Sequence, residues 1–259
     1  MGLMDGQTGL VFGVANDRSI AWHIARNLIA HGAMCGFSHL PGDKMERRVR
    51  KTLEDGGVRD PWLFPCDVGR DEDIDALFDA VGRHFGSISF VVHSLAFANR
   101  DYLQMGKFTQ TPREVFTQAL DISAYTLVAI AERARRVMLA GGSILALSYY
   151  GAEKVVPGYN VMGVAKAALE ACARYLAAEL GGQGIRVNTL SAGPCRTLSA
   201  MAVGGIDDMF EWVEKKAPLR RNIDTDEVGK TAVYLLSDLS SGVTGENVYV
   251  DAGYNTMGL

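Results

Sequence analysis

Seven short apolar, β-branched runs recur along the chain: TGLVFGV (8–14), AMCGFS (33–38), WLFPCDV (62–68), ISFVVHS (88–94), SILALSY (143–149), IRVNTLS (185–191) and NVYVDAG (247–253). Each predicts a buried strand. Between most of them the apolar positions take helical spacing, as in SIAWHIARNLIAHG (19–32), DEDIDALFDAVGRHFG (71–86), EVFTQALDISAYTLVAIAERARRVM (114–138) and YNVMGVAKAALEACARYLAAELG (159–181). Strand and helix in alternation predict a parallel sheet, because parallel neighbours need a crossover and right-handed crossovers put helices on both faces. The expected fold is α/β, a doubly wound, Rossmann-like parallel sheet of about seven strands in one domain spanning 1–259. Gly32, Gly86, Gly141 and Gly181 each follow a helical stretch where a left-handed C-cap is expected. One irregular segment, residues 193–221, breaks the alternation after the sixth strand, where such sheets carry ligand-covering loops.

Composition removes several function classes. A formal charge of −4 gives no basic field for gathering nucleic acid. No apolar run reaches the roughly 18 residues of a membrane span, and MGLMDGQTGL lacks the basic start and apolar core of a secretory signal, so a cytoplasmic protein is expected. The four cysteines (Cys35, Cys66, Cys172, Cys195) form no C-x-x-C pair, and the five histidines have no ligand spacing, so no metal is expected.

Ligands of doubly wound sheets bind beyond the carboxyl ends of the strands. Gly13, Asp67 with Val68, Ser94 to Ala98, Tyr149 and Gly193 all fall at that edge. In GVANDRSIA, Gly13 lets the chain turn close to a cofactor, and Ser19 stands near a helix start whose free amides can face a pyrophosphate. That stretch alone equally suits a plain capped turn. The second locus is LSYYGAEKVVPGYNVMGVAKAALEA. A helix beginning near Tyr159 would set Lys166 about two turns on along the same face, roughly 10 Å away.

The motifs GVANDRSIA, CDV, HSLAFA, DISAY, LSYYGAEKVVPGYNVMGVAKAALEA, RVNTLSAGPCRTL and SSGVTGENVYVDAG resemble those of the bacterial enoyl-acyl-carrier-protein reductases of the FabI type, a divergent branch of the short-chain dehydrogenase/reductases. The likeness runs from about residue 6 to 256. Its mark is Tyr-x6-Lys, met here by Tyr159 and Lys166; ordinary short-chain dehydrogenases carry Tyr-x3-Lys, and Met162 stands at that tyrosine's position.

The resemblance implies reduction of a trans-2-enoyl thioester on acyl-carrier protein by a reduced nicotinamide, the last reductive step of fatty-acid elongation. It assigns Tyr159 to the thioester oxygen, Lys166 to the nicotinamide ribose and Tyr149 to a second tyrosine at the site. It implies cofactor contacts from Gly13, Ser19, Ile20, Leu40, Asp67, Val68, Ser94, Leu95, Ala96, Gly193, Pro194, Cys195, Thr197 and Ser199, and an acyl contact from Ala98. Cys195 stands where the family carries isoleucine, so a small apolar role is expected of it.

At the second strand's end, FSHLPGDK has no acidic residue at the tip for ribose hydroxyls and no arginine beside it for a 2′-phosphate. Lys44, Arg47 and Arg48 read as the outer face of the next helix, which favours NADH over NADPH without excluding NADPH. Residues 197–217, with Met201, Met209, Phe210 and Trp212 on one side of a short helix, are expected to cover the acyl chain. Arg196, Lys215, Lys216, Arg220 and Arg221 are candidate contacts for the carrier protein. Long apolar helices at 121–138 and 160–180 suggest subunit contacts, and the resemblance implies a homotetramer. Two other classes stay open: a carbonyl (3-oxoacyl) reductase of the same superfamily, and a noncatalytic dinucleotide-binding protein.

Overall fold

The computed structural model describes residues 2–198 and 200–258. Seven parallel strands form one sheet: β1 Thr8–Phe12, β2 Met34–His39, β3 Leu63–Pro65, β4 Phe90–His93, β5 Gly142–Ser148, β6 Ile185–Ala192 and β7 Asn247–Val250. Their order across the sheet is β3-β2-β1-β4-β5-β6-β7, so the winding reverses between β1 and β4. Each apolar run of the sequence coincides with one of these strands, whose ends overshoot it by at most one residue.

Strands buried on both faces are mostly apolar, which is why they read as nearly continuous runs; the polar exceptions, such as His93, Asn188 and Thr189, are themselves buried. Leu10, Phe12, Val91, Ile144 and Ala146 point into one core, and Val11, Phe90, Val92, Leu145 and Leu147 into the other. The first core is closed by α3 (Asp71–Phe85), α5 (Thr126–Ala134) and α6 (Val161–Leu180). The second is closed by α1 (Ile20–Ala30), α2 (Asp43–Asp55) and α8 (Thr225–Leu236). An Asp224–Glu227 capping box starts α8, each side chain taking a backbone N–H that the helix leaves free.

Three local expectations change. The stretch 114–138 is not one continuous helix: α4 (Arg113–Leu120) and α5 are joined by a π-type turn at Asp121–Tyr125. The extra residue lets the buried Ser123 hydroxyl take the Phe97 N–H at 3.0 Å and donate to the Phe97 carbonyl at 3.2 Å, tying this turn to the loop after β4. Gly181 is not a left-handed cap: it has φ −57, the chain continues in a tighter turn through Gln183, and Gly184 takes the left-handed conformation. Gly32, Gly86 and Gly141 do have positive φ. Finally, α6 begins at Val161 rather than at Tyr159.

Leu127 is fully buried where α5 meets the first core. Leu127→Ala is expected to lower unfolding free energy by about 2–5 kcal/mol, read as a lower urea midpoint with the slope unchanged.

Candidate active site

The carboxyl ends of β1, β2, β4, β5 and β6 open onto one cavity of about 530 Å³, within the size range of small-molecule sites. The cavity spans the point where the winding reverses, between Gly13 after β1 and Ser94 after β4. A Cβ on Gly13 would stand 2.0 Å from the Ser94 carbonyl oxygen, and the residue has φ +95. Only glycine lets the two loops approach this closely.

Ser19 occupies the N-cap position of α1 without capping it. Its hydroxyl turns back instead, accepting the Ala15 and Asn16 N–H groups at 3.0 and 2.9 Å and donating to the Asn16 carbonyl at 2.8 Å. The serine therefore shapes the turn and leaves the first amides of α1, at the positive end of its dipole, without a side-chain cap. An anion such as a pyrophosphate is the partner such an end accepts. This differs from the capping role considered for Ser19 from sequence.

Most of the expected site residues converge here. Gly13, Ser19, Ile20, Leu40, Val68, Ser94, Leu95, Ala96, Ala98, Tyr149, Tyr159, Lys166, Gly193, Pro194, Cys195 and Thr197 all line the cavity. Asp67 does not: Cys66 and Val68 form that wall, while the Asp67 Oδ1 accepts the Gly69 N–H at 3.0 Å. Ser199 lies outside the described residues. Lining residues that sequence reasoning missed include Met45, Val49, Leu103, Met162, Val203 and Ile206. The apolar ones read as ordinary core in the sequence, since nothing in their spacing separates a cavity wall from a packed interior.

Tyr159 and Lys166 do not share a helix. Lys166 sits on the buried face of α6, whereas Tyr159 lies in the turn before it. Between them Asn160 has φ 46 and ψ −121, a conformation outside the helical region, so the helix starts only after it. Its side-chain amide donates to the Tyr102 and Gln104 carbonyls at 2.7 and 2.8 Å, which repays the unusual backbone. The Tyr159 ring packs edge-on against Tyr149 with centroids 4.9 Å apart. Burial, followed by the neighbouring phenol, holds the Tyr159 hydroxyl well above its ordinary pKa, and burial does the same for Tyr149. Both phenols keep their protons and act as hydrogen-bond donors.

Lys166 is only 5% exposed and not the solvated lysine that such spacing usually means. Its Nζ donates to the Leu147 carbonyl at 2.6 Å, and burial brings its pKa down to about 8. Met162, four residues before it, is buried against the cavity and has no proton to give. Cys195 is buried, its thiol donates to the Gly193 carbonyl at 3.4 Å, and burial pushes its pKa up to about 12, so it is no nucleophile.

The adenosine-side wall after β2 is formed by Ser38, His39, Leu40, Met45 and Val49. Lys44, Arg47 and Arg48 lie on the exposed side of α2, and among the described residues none of the three lines the cavity.

Over the other end lies α7 (Ile206–Lys216). Ile206, Phe210 and Val213 make its buried face, Met209 lines the cavity, and the Tyr149 hydroxyl meets the Met209 sulfur at 2.7 Å. Trp212 departs from expectation: it is 49% exposed, with the Lys216 ammonium 5.1 Å above its ring. The inward face follows the spacing 206, 210, 213, which turns position 212 outward. Met201 is also exposed. Of the candidate cations near this mouth, Arg196 stacks on Phe210 at 4.4 Å and pairs with Asp207 at 3.2 Å. Arg221 pairs with Glu227 at 2.7 Å, Lys215 with Glu211 at 3.3 Å, and Arg220 donates to the Lys215 carbonyl.

Among the described residues no group of three His, Cys, Asp or Glu side chains could hold a metal ion, and no helix is long and apolar enough to cross a membrane.

The sequence pattern of the family described as Enoyl-(Acyl carrier protein) reductase matches residues 13–255. The chain is 52% identical over 259 residues to the enoyl-acyl-carrier-protein reductase (NADH) FabI of Nostoc sp., with 99% of each covered. The crystal structure of the Bacillus cereus enoyl-acyl carrier protein reductase with NADP+ and indole naphthyridinone is 50% identical, covers 100% of both chains and superposes with a TM-score of 0.96. The reductase of Anaplasma phagocytophilum in complex with NAD is 46% identical, covering 100% of this chain and 95% of that one, at a TM-score of 0.93. With a cavity at the reversal of the sheet, Tyr159 and Lys166 on its wall and relatives of this identity over its full length, the chain belongs to the enoyl-acyl-carrier-protein reductase family.

Proposed function

We propose that this protein reduces the trans-2 double bond of enoyl thioesters carried on acyl-carrier protein, using NADH, as the last reductive step of fatty-acid elongation. The observation that carries the reading is the convergence of a protonated phenol, Tyr159, and a buried ammonium, Lys166, on one largely apolar cavity in a chain with Met162 at the ordinary superfamily tyrosine position. The residues fit a dinucleotide: the close approach at Gly13 and the uncapped amides of α1 suit its pyrophosphate. When bound, the reduced nicotinamide supplies the hydride that adds to the β-carbon of the enoyl group.

Tyr159 donates a hydrogen bond to the thioester oxygen. As negative charge builds on that oxygen the bond strengthens, so it lowers the transition state more than the ground state. Lys166 binds the ribose hydroxyls next to the reacting carbon, and its charge favours the same enolate. Tyr149, edge-on to Tyr159, orients that ring and flanks the acyl group. In this reading Ile20, Leu40, Val68, Ser94, Leu95, Ala96, Gly193, Pro194, Cys195 and Thr197 enclose the cofactor, and Ala98 meets the acyl chain.

The chain acts as a single catalytic domain, with residues 197–217 covering the substrate. Val203, Ile206 and Met209 on the cavity wall support that assignment, and their apolar surface excludes water from the hydride path. Exposed Tyr125 and Tyr175, beside α5 and on α6, support a homotetramer built on those helices.

Purified protein given NADH and a crotonyl thioester is expected to oxidise the cofactor, read as loss of the reduced-nicotinamide absorbance. Oxidation with a 3-oxoacyl thioester only would overturn the reading. Tyr159→Phe is expected to lower kcat by about 10- to 1000-fold with NADH affinity retained. Because the wall after β2 carries no cation, kcat/KM for NADH is expected to exceed that for NADPH by about tenfold or more. Equal values for the two nucleotides would refute that assignment.

A further inference from the structure

Helix α6 carries two ionisable side chains on one buried face, Lys166 and Glu170, one turn apart and 5% and 7% exposed. Each is tied to the end of β5. The Lys166 ammonium donates to the Leu147 carbonyl at 2.6 Å, and the Glu170 Oε1 accepts from the Ser148 hydroxyl at 2.5 Å. Leu147 and Ser148 are the last two residues of the strand and immediately precede Tyr149. Lys166 and Ser148 line the cavity, whereas Glu170 does not, so it touches neither substrate nor cofactor. A carboxylate this far from water is costly to hold unless it is hydrogen-bonded and faces an opposite charge. Ser148 supplies the bond, and Lys166 is an opposite charge one turn away.

We propose that Glu170 is a positioning residue for Lys166, its carboxylate, anchored by Ser148, supplying the counter-charge that keeps the buried ammonium protonated at the cavity wall. The inference rests on the role given to Lys166 above. Four other ionisable groups face the pair. His93 on β4 is fully buried and held neutral, its pKa lowered to about 3 by burial and then by Lys166. Burial raises the pKa of Glu170 and the Ser148 hydrogen bond opposes that rise; Glu153, in the turn after β5, adds to it, while Arg174, one turn further along α6, and Lys166 lower it. Tyr249 of β7 is bonded to Glu153 and also feels the Glu170 charge.

The direction of the effect follows. Burial lowers the Lys166 pKa to about 8 and Glu170 opposes that fall, so the ammonium is present below about 8 and lost above it. Glu170→Gln keeps the size and the acceptor for Ser148 but removes the charge, and the loss then begins at lower pH. A displacement of about one unit would cut the ammonium fraction at pH 8 roughly fivefold and leave it almost intact at pH 6.

Two readouts test this. In protein labelled with 13C at the lysine ε-carbons, with the Lys166 signal assigned from the Lys166→Arg spectrum, the midpoint of Lys166 is expected to move down in Glu170→Gln. The basic limb of kcat/KM against pH for crotonyl thioester is expected to move the same way. An unmoved midpoint, or a loss of activity uniform across pH, overturns the proposal. Ser148→Ala serves if Glu170→Gln does not fold: without its hydrogen bond the carboxylate neutralises more readily, so the Lys166 midpoint again falls. Failure of the unaltered protein to reduce the enoyl thioester would sink the reading of function alone, because the lysine titration is measured without turnover.

Discussion

The bond from the Lys166 ammonium to the Leu147 carbonyl is the interaction on which the site depends. It joins a helix that closes the first core to the strand whose end carries Tyr149. A lysine has three N–H groups, so holding the strand leaves two to face the cavity. With the ammonium anchored, α6 cannot slide along β5, and the turn that presents Tyr159 is held at a fixed offset from Tyr149. The bond is charge-assisted and shielded from water, which makes it stronger than a surface contact of the same length.

Around this anchor the protein builds an environment that retains protons. Tyr159, Tyr149, Cys66 and Cys195 all titrate above their ordinary values, chiefly because burial disfavours their anions. No thiolate or phenolate forms near neutral pH, so the wall offers hydrogen-bond donors rather than nucleophiles. That suits charge stabilisation on a bound oxygen and disfavours covalent chemistry.

The strands were legible in the sequence because a parallel sheet buried on both sides demands mostly apolar residues, and the rim was legible because the motifs end those strands. What stayed hidden was local conformation. Nothing in GYNVMG announces that Asn160 takes a positive φ and pushes Tyr159 out of the helix, since the cause lies in carbonyls at 102 and 104. The π-type turn in DISAY depends on Ser123 reaching Phe97 across 26 residues. Trp212 looked like part of the cover because methionine and aromatic spacing alone does not tell which face of α7 meets the cavity. Asp67 was placed at the right edge, but whether its carboxylate faces the cavity or the Gly69 N–H is a choice of rotamer. Glu170 was invisible because a glutamate on a long helix reads as a solvated residue until its burial is known.

At the mouth of the cavity residues 102–104 tie two segments together. On one side the Leu103 carbonyl accepts the Gly204 N–H at 3.0 Å, where a Cβ on the glycine would strike the Gln104 side chain at 2.6 Å. On the other side the neighbouring carbonyls of Tyr102 and Gln104 hold the Asn160 amide. The covering segment and the turn that carries Tyr159 therefore share one anchor, so a substitution within residues 102–104 disturbs both sides of the cavity at once.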